Sequence, residues 1–290
     1  MNTRPILLII DPALNSPCTE ALNCILEIMG EFKNNLQFAF SHCEYVCPFL
    51  NKIKLKDCIR NKNIGAVICL GSIANVTDQF PFVQEFIADL EAYLFEKNTP
   101  FFGICFGHQI FAEIHGFKVH FLKKRHLVPM GKHHIFRMFE VIHPKLSLLA
   151  TKFQAQDYFS ENKIDLSFKY TIKETINWNK NQWNLLSTHR DWTLTAVENR
   201  VKEHIKNYAA KNIISQARHE QEVWESRIAS DVVLAGSSQS CEFEALVHSS
   251  KPFYTVQTHP ETRHESRDGY LLLKNFIYTS SLLLTRCSSQ

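Results

Sequence analysis

The sequence predicts an α/β fold: a doubly wound, mostly parallel sheet with helices on both faces, a small antiparallel strand region and a helical insertion. Three observations predict it. Up to Gly116, short apolar runs alternate with amphipathic stretches, the signature of strand–helix–strand units. In the middle of the chain that rhythm gives way to patches of period two. Residues 195–228 then return to a helical spacing.

The elements follow in order. "PILLII" (residues 5–10) reads as a buried strand and "TEALNCILEIMGEF" as an amphipathic helix. "LQFAFSHC" predicts a second strand and "LNKIKLKDCIRNKN" a helix. "GAVICLG" is a third strand, apolar throughout, as strands covered on both faces are. Pro81 opens the helical pattern "PFVQEFIADLEAYLFEKN". "PFFGIC" is a fourth strand, and "FGHQIFAEIHG" a helix closed by Gly116. "HHIFRMFEV" and "DLSFKYTI" alternate like antiparallel strands. In residues 195–228, Val197, Val201, Ile205, Tyr208 and Ala209 fall at steps of three and four. The phase slips near Asn212, so the segment reads as one helix or two. "DVVLAG", "CEFEALVH" and "FYTVQTH" are strands again, and "GYLLLKNFIYTSSLLL" closes the chain as a helix.

Composition bounds the class. Hydrophobic residues make up 45% and charged residues 21%, which is globular, and the reading is one domain over residues 1–290. A net charge of +3, from 32 basic and 29 acidic residues, carries no electrostatic footprint for nucleic acid. No run of 18 apolar residues is present to span a membrane, and "MNTRPILLIID" is too short for a signal peptide. The nine cysteines are odd in number and sit in apolar segments, which fits reduced thiols and a cytoplasmic location. Cys43 and Cys47, beside His42, lack a second ligand pair at zinc spacing. His133 and His134, like His189, read as paired strand or loop histidines, not as metal ligands. Neither metal nor cofactor is expected. Asp11, at the end of the first strand, reads as a turn residue or a ligand contact.

The chemistry centres on "GICFGHQ". The chain has only nine glycines, yet Gly103 and Gly107 flank Cys105 between a strand and a helix. Such a turn holds a nucleophile out from the backbone, and the helix N-terminus favours the thiolate. The amide of Phe106 would face the oxyanion formed when Cys105 attacks a carbonyl, with a second donor from the Gly71–Ser72 turn. A thiolate in acyl transfer needs a histidine and an orienting acid. "YTVQTHPETR" offers His259 after an apolar strand, with Glu261 two residues on. In an extended segment those two share a side, stiffened by Pro260.

"GICFGHQ" followed far downstream by "QTHPE" resembles the class I glutamine amidotransferase domain. That order also differs from an α/β-hydrolase, where the acid precedes the histidine. "GAVICLGS" resembles the family's oxyanion strand, "STHRDW" its substrate-side loop, and "AGSSQSCEFEAL" the strands leading to the histidine. The resemblance implies a flavodoxin-like sheet. It implies a triad of Cys105, His259 and Glu261, with backbone donors at Gly71 and Phe106. It further implies that Gln109, His189 and Asp191 contact the α-amino and carboxylate groups of a γ-glutamyl substrate. Two departures stand out: Leu70-Gly71-Ser72 replaces the usual Gly-Gly-Pro turn, and residues 195–228 replace a short connection. The match uses nearly the whole chain, so it implies no fused synthetase.

Three functions follow from this. The first is free-standing hydrolysis of a γ-glutamyl amide, glutamine or a γ-glutamyl compound, as in γ-glutamyl peptidase-like members. The second is a glutaminase subunit supplying ammonia to a separate synthetase partner. The third is a catalytically weak binding protein. The first is the leading expectation, with residues 195–228 forming a helical lid over the pocket mouth.

Overall fold

The computed structural model describes residues 4–32, 38–121, 135–149, 212–217, 219, 221–224, 231–238, 241–262 and 267–287. Its centre is a nine-stranded sheet ordered β2-β1-β3-β4-β11-β10-β9-β6-β7. Five adjacent strands run parallel: β2 (Cys43–Val46), β1 (Ile6–Ile10), β3 (Ile64–Cys69), β4 (Phe101–Ile104) and β11 (Phe253–Val256). From β11 the sheet continues antiparallel through β10 (Ala245–His248), β9 (Val232–Ser237), β6 (Ile135–Val141) and β7 (Asn212–Ala217). A separate antiparallel ribbon pairs β5 (Lys118–Phe121) with β8 (Gln221–Trp224).

Strand β1 explains why helices cover both faces. All five of its residues are buried. Its side chains alternate between two cores: Leu7 and Ile9 join one, Leu8 and Ile10 the other. The first core packs against α1 (Thr19–Phe32) and α7 (Arg267–Cys287), where Phe32 stacks on Tyr278 at 4.9 Å between ring centres. The second packs against α3 (Leu55–Ile59), α4 (Pro81–Glu96) and α5 (Phe106–Ile114). Two short helices, α2 (Pro48–Asn51) and α6 (Pro144–Leu149), complete the described set.

Three expectations change. The second strand is Cys43–Val46, not "LQFAFSHC". Phe38 and Phe40 are buried in an aromatic cluster with Phe32 (5.2 Å and 5.5 Å between successive ring centres), so their alternation serves core packing. The helix expected over "LNKIKLKDCIRNKN" breaks into α2 and α3 at Lys52, which adopts the left-handed conformation at φ 53°.

The third correction concerns residues 195–228. Residues 212–217 and 221–224 are strands, not helix. In β7, Ile213 and Ser215 are buried; in β8, Gln221 and Val223 are. The period therefore switches to two at the point where the helical stripe loses phase. Residues 195–211 and 225–228, with the lid expected there, lie outside the described residues, as does "DLSFKYTI".

Candidate active site

Three parallel strands end together. Cys69 of β3 lies in register with Gly103 of β4, and Ile104 of β4 with Val256 of β11. Gly71, Cys105 and Gln257 thus emerge at one edge of the sheet, the carboxyl ends where open α/β sheets hold their ligands. The Cys105 amide donates to the Val256 carbonyl at 2.9 Å, and Cys105 is the residue before α5.

Cys105 sits at φ 50°, ψ −101°, a conformation an L-residue adopts at a cost of about 1–3 kcal/mol. Two glycines allow it. A Cβ on Gly107 would collide with the Cys69 carbonyl, and one on Gly103 would lie 2.8 Å from the Gly107 carbonyl oxygen. With no side chain at either position, the first turn of α5 rests directly on the ends of β3 and β4.

Gly71 is required for a different reason. A Cβ there would lie 2.9 Å from His259 Cε1 and 3.3 Å from Cys105 Cβ. The turn after β3 therefore lies against both side chains. Leu70, at the first position of the departed Gly-Gly-Pro turn, is buried in the first core, where its side chain fills space that a glycine would leave empty.

His259 and Glu261 are joined by a turn and not by an extended segment. The Thr262 amide donates to the His259 carbonyl at 3.4 Å, and the Thr262 hydroxyl reaches the same oxygen at 2.8 Å. Pro260 takes the first central position, where its fixed φ suits the turn. This folds the carboxylate back under the ring: His259 Nδ1 meets Glu261 Oε1 at 2.8 Å. The imidazole also hydrogen-bonds Cys105. Burial opposes protonation of His259, but the Glu261 carboxylate and the Cys105 sulfur outweigh it and hold its pKa well above the usual range.

His108, inside the same motif as Cys105, is a different case. It is fully buried, with Nε2 facing the Phe243 carbonyl at 3.0 Å and Nδ1 facing the Thr255 hydroxyl at 2.8 Å. A carbonyl can only accept, so Nε2 carries the proton and Nδ1 accepts from Thr255. Burial lowers its pKa to about 3, so this histidine is a neutral strut.

Three glutamines carry a polar line into the site. Gln109 Nε2 donates to the Gln221 carbonyl at 2.9 Å and to Gln257 Oε1 at 3.2 Å. Gln257 Nε2 lies 3.7 Å from the Cys105 sulfur. The Gln221 side chain accepts from the Val76 amide (3.0 Å) and donates to the Thr77 hydroxyl (2.6 Å), so β8 braces the loop after β3. Asp11 is buried, accepts from the Cys18 amide at 2.7 Å and from the Tyr45 hydroxyl, and so pins the loop after β1. Burial raises its pKa, and the nearby Glu261 adds to that rise.

Of the residues expected from sequence, Gly71, Cys105, Phe106, Gln109, His259 and Glu261 come together at this edge. His189 and Asp191 lie outside the described residues. Sequence reasoning missed Gln257 and Gln221. Gln257 had a signal: it is the first polar residue after an apolar strand and stands two before His259. Gln221 had none, because its side chain bonds the loop about 145 residues away and its carbonyl holds Gln109, 112 residues away. Among the described residues no group of three His, Cys, Asp or Glu side chains is placed to hold a metal.

Fold and site together define an α/β protein with a cysteine on a strained strand–helix turn facing a histidine–glutamate pair. A family model described as glutamine amidotransferase class-I matches residues 24–279, and the chain belongs to that family. It is similar to one of the subunits of the glutamine-hydrolyzing GMP synthase of Thermoplasma volcanium, 43% identical over 67 residues, or 23% of this chain and 32% of that one. The glutamine-hydrolyzing GMP synthase of Francisella tularensis subsp. novicida is 39% identical over 77 residues, 24% of this chain and 14% of that protein. The chain thus matches a third or less of the length of these relatives. A glutamine amidotransferase structure from Thermotoga maritima shares the fold, with TM-score 0.54, 14% identity and 97% of each chain covered.

Proposed function

We propose that this protein hydrolyses the side-chain amide of glutamine through a γ-glutamyl thioester on Cys105. The observation that carries the reading is the strained Cys105 elbow set against the His259–Glu261 pair. The sulfur attacks the amide carbon, and the oxyanion is met by the amides of Gly71 and Phe106. His259 passes its proton to the nitrogen, the C–N bond breaks and ammonia leaves. The same imidazole then takes a proton from water, which attacks the thioester. The C–S bond breaks, the electron pair returns to sulfur and glutamate departs. Glu261 holds the ring and supports its charge.

Gln109 fits a recognition role. Its Nε2 is committed to Gln221 and Gln257, so its carbonyl oxygen is the end left to accept from a substrate ammonium. His189 and Asp191 would complete the grip on the α-groups. The test is glutamate release from glutamine by the purified protein, with a glutamine-like diazoketone trapping the nucleophile. An adduct on the peptide "GICFGHQ" is expected. Labelling of another cysteine, with Cys105 untouched, overturns the assignment.

For the fate of the ammonia, the relatives' names favour a glutaminase that supplies a separate synthetase over a free-standing γ-glutamyl hydrolase. A panel of γ-glutamyl compounds separates the two. Glutamine turnover that rises on adding a GMP synthetase subunit supports the first; unaided cleavage of another γ-glutamyl compound supports the second.

A further inference from the structure

Amide side chains can face either way, but the three glutamines here fix one another's orientation. The Gln221 carbonyl belongs to the backbone and can only accept, so the group of Gln109 that lies 2.9 Å from it is its amide nitrogen. That nitrogen can only donate, so Gln257 turns its oxygen toward it, at 3.2 Å. The remaining end of Gln257, its Nε2, therefore points at the Cys105 sulfur, 3.7 Å away. All three glutamines are buried, with 4% (Gln109), 2% (Gln221) and 0% (Gln257) of their surface exposed, so water does not compete for these bonds. The Gln257 backbone is held as well, its amide donating to the Glu244 carbonyl at 2.7 Å.

We propose that Gln257 is a further catalytic residue, whose Nε2–H stabilises negative charge on the Cys105 sulfur. This rests on Cys105 being the nucleophile of the reaction above. The donor acts twice. Before attack it favours the thiolate without contributing a charge of its own, complementing the His259 imidazolium. In the second half-reaction the C–S bond breaks and its electron pair returns to sulfur; the N–H meets the charge as it develops. Gln109, which contacts the substrate in the proposed function, is here the residue that aims Gln257. Substrate recognition and nucleophile stabilisation thus share one hydrogen-bonded line.

Two variants test this. Gln257→Glu is isosteric and keeps an acceptor for Gln109, but replaces the N–H facing the sulfur with oxygen. Gln257→Leu removes the donor and leaves Gln109 still bound to the Gln221 carbonyl. The titratable groups around the sulfur are His259 and, behind it, Glu261, Asp11 and Cys18; both variants retain all four, but Gln257→Glu adds a carboxyl group beside the sulfur, so Gln257→Leu is the variant that isolates loss of the donor. The first readout is the rate of Cys105 alkylation by iodoacetamide across pH. Its midpoint should move up by about one pH unit in Gln257→Leu, as expected for losing a hydrogen bond to a charged group, and further in Gln257→Glu, whose carboxylate also repels the thiolate. The second readout is glutamine hydrolysis, where kcat should fall by about tenfold or more in Gln257→Leu while KM changes little.

An unchanged alkylation midpoint in Gln257→Leu overturns the proposal, as does a loss confined to KM. If Gln257→Leu fails to fold, Gln257→Met, unbranched, uncharged and without an N–H, decides in its place. Alkylation is read on Cys105 whatever the substrate. A wild-type protein that releases no glutamate from glutamine therefore overturns the proposed function while leaving the alkylation test intact.

Discussion

At Cys105 the backbone, at φ 50°, is strained so that the sulfur stands at the end of β4 and the next residue begins a helix. Cys105→Ser keeps the turn but replaces the thiol by a far poorer nucleophile, so glutamate release should fall by at least about a thousandfold with the melting temperature little changed. A turnover within tenfold of wild type would place the nucleophile elsewhere. His259 and Glu261 make separable contributions. In the proposed mechanism His259→Ala removes the proton carrier, whereas Glu261→Ala loosens a ring that is still present. The second loss should be smaller by about tenfold to a hundredfold in kcat. The pH dependence follows from the same contact. The folded-state pKa of His259 is raised, so the stability it contributes is fully present below its unfolded value and is lost as pH rises through the folded one. Glu261→Gln removes a main cause of the rise, so NMR titration should find the imidazole pKa lowered. An unmoved titration would show that the 2.8 Å contact does not tune the ring.

At the scale of elements, the site depends on how closely α5 approaches β3 and on what braces the loop between β3 and α4. Gly107→Val puts a branched side chain against the Cys69 carbonyl, which forces the helix off the strand ends. Both activity and stability should suffer, the latter by about 1–3 kcal/mol in denaturant unfolding. Wild-type rates in that variant would remove the steric account of the turn. Strand β8 acts from the other side. Gln221→Leu keeps the backbone carbonyl that holds Gln109, but loses the two side-chain bonds to residues 76 and 77. The loop that carries Gly71 should loosen, with kcat falling and Cys105 alkylation unaffected. Equal loss of both would mean that β8 supports the whole edge of the sheet and not the turn alone.

Across the whole molecule, acid should unfold the protein partly through histidines that fold around their neutral forms. Burial lowers the pKa of His108 from 6.5 to about 3, and His115 and His248 shift the same way, also by burial. Between those two pH values the unfolded chain takes up a proton at position 108 that the folded chain refuses, so stability falls as pH drops. Urea midpoints measured across this window should show that slope, and His108→Phe should flatten it while lowering stability at neutral pH. An identical slope in the variant would assign the acid sensitivity to other groups. Much of this architecture could be read along the chain, because local patterning is enough where burial is two-sided. "PILLII", "GAVICLG" and "PFFGIC" are apolar without alternation, and they are the inner parallel strands. The Cys105 turn was legible from two glycines in a chain that has few; the histidine–glutamate contact was expected from an extended segment, whereas a turn around Pro260 makes it. Period alone misled at "LQFAFSHC", whose phenylalanines face a helix-packed core, and at residues 212–224, where a helical stripe runs into two strands. What the sequence determined by itself was the order of elements up to Gly116 and the residue types at the strand ends, since both follow from neighbours within a turn or two. Only the tertiary structure decided that Gln257 points its nitrogen at the sulfur and that Gln221 braces the loop after β3. Those are hydrogen bonds between groups more than a hundred residues apart, and their direction is set by which carbonyl the folded backbone leaves facing them.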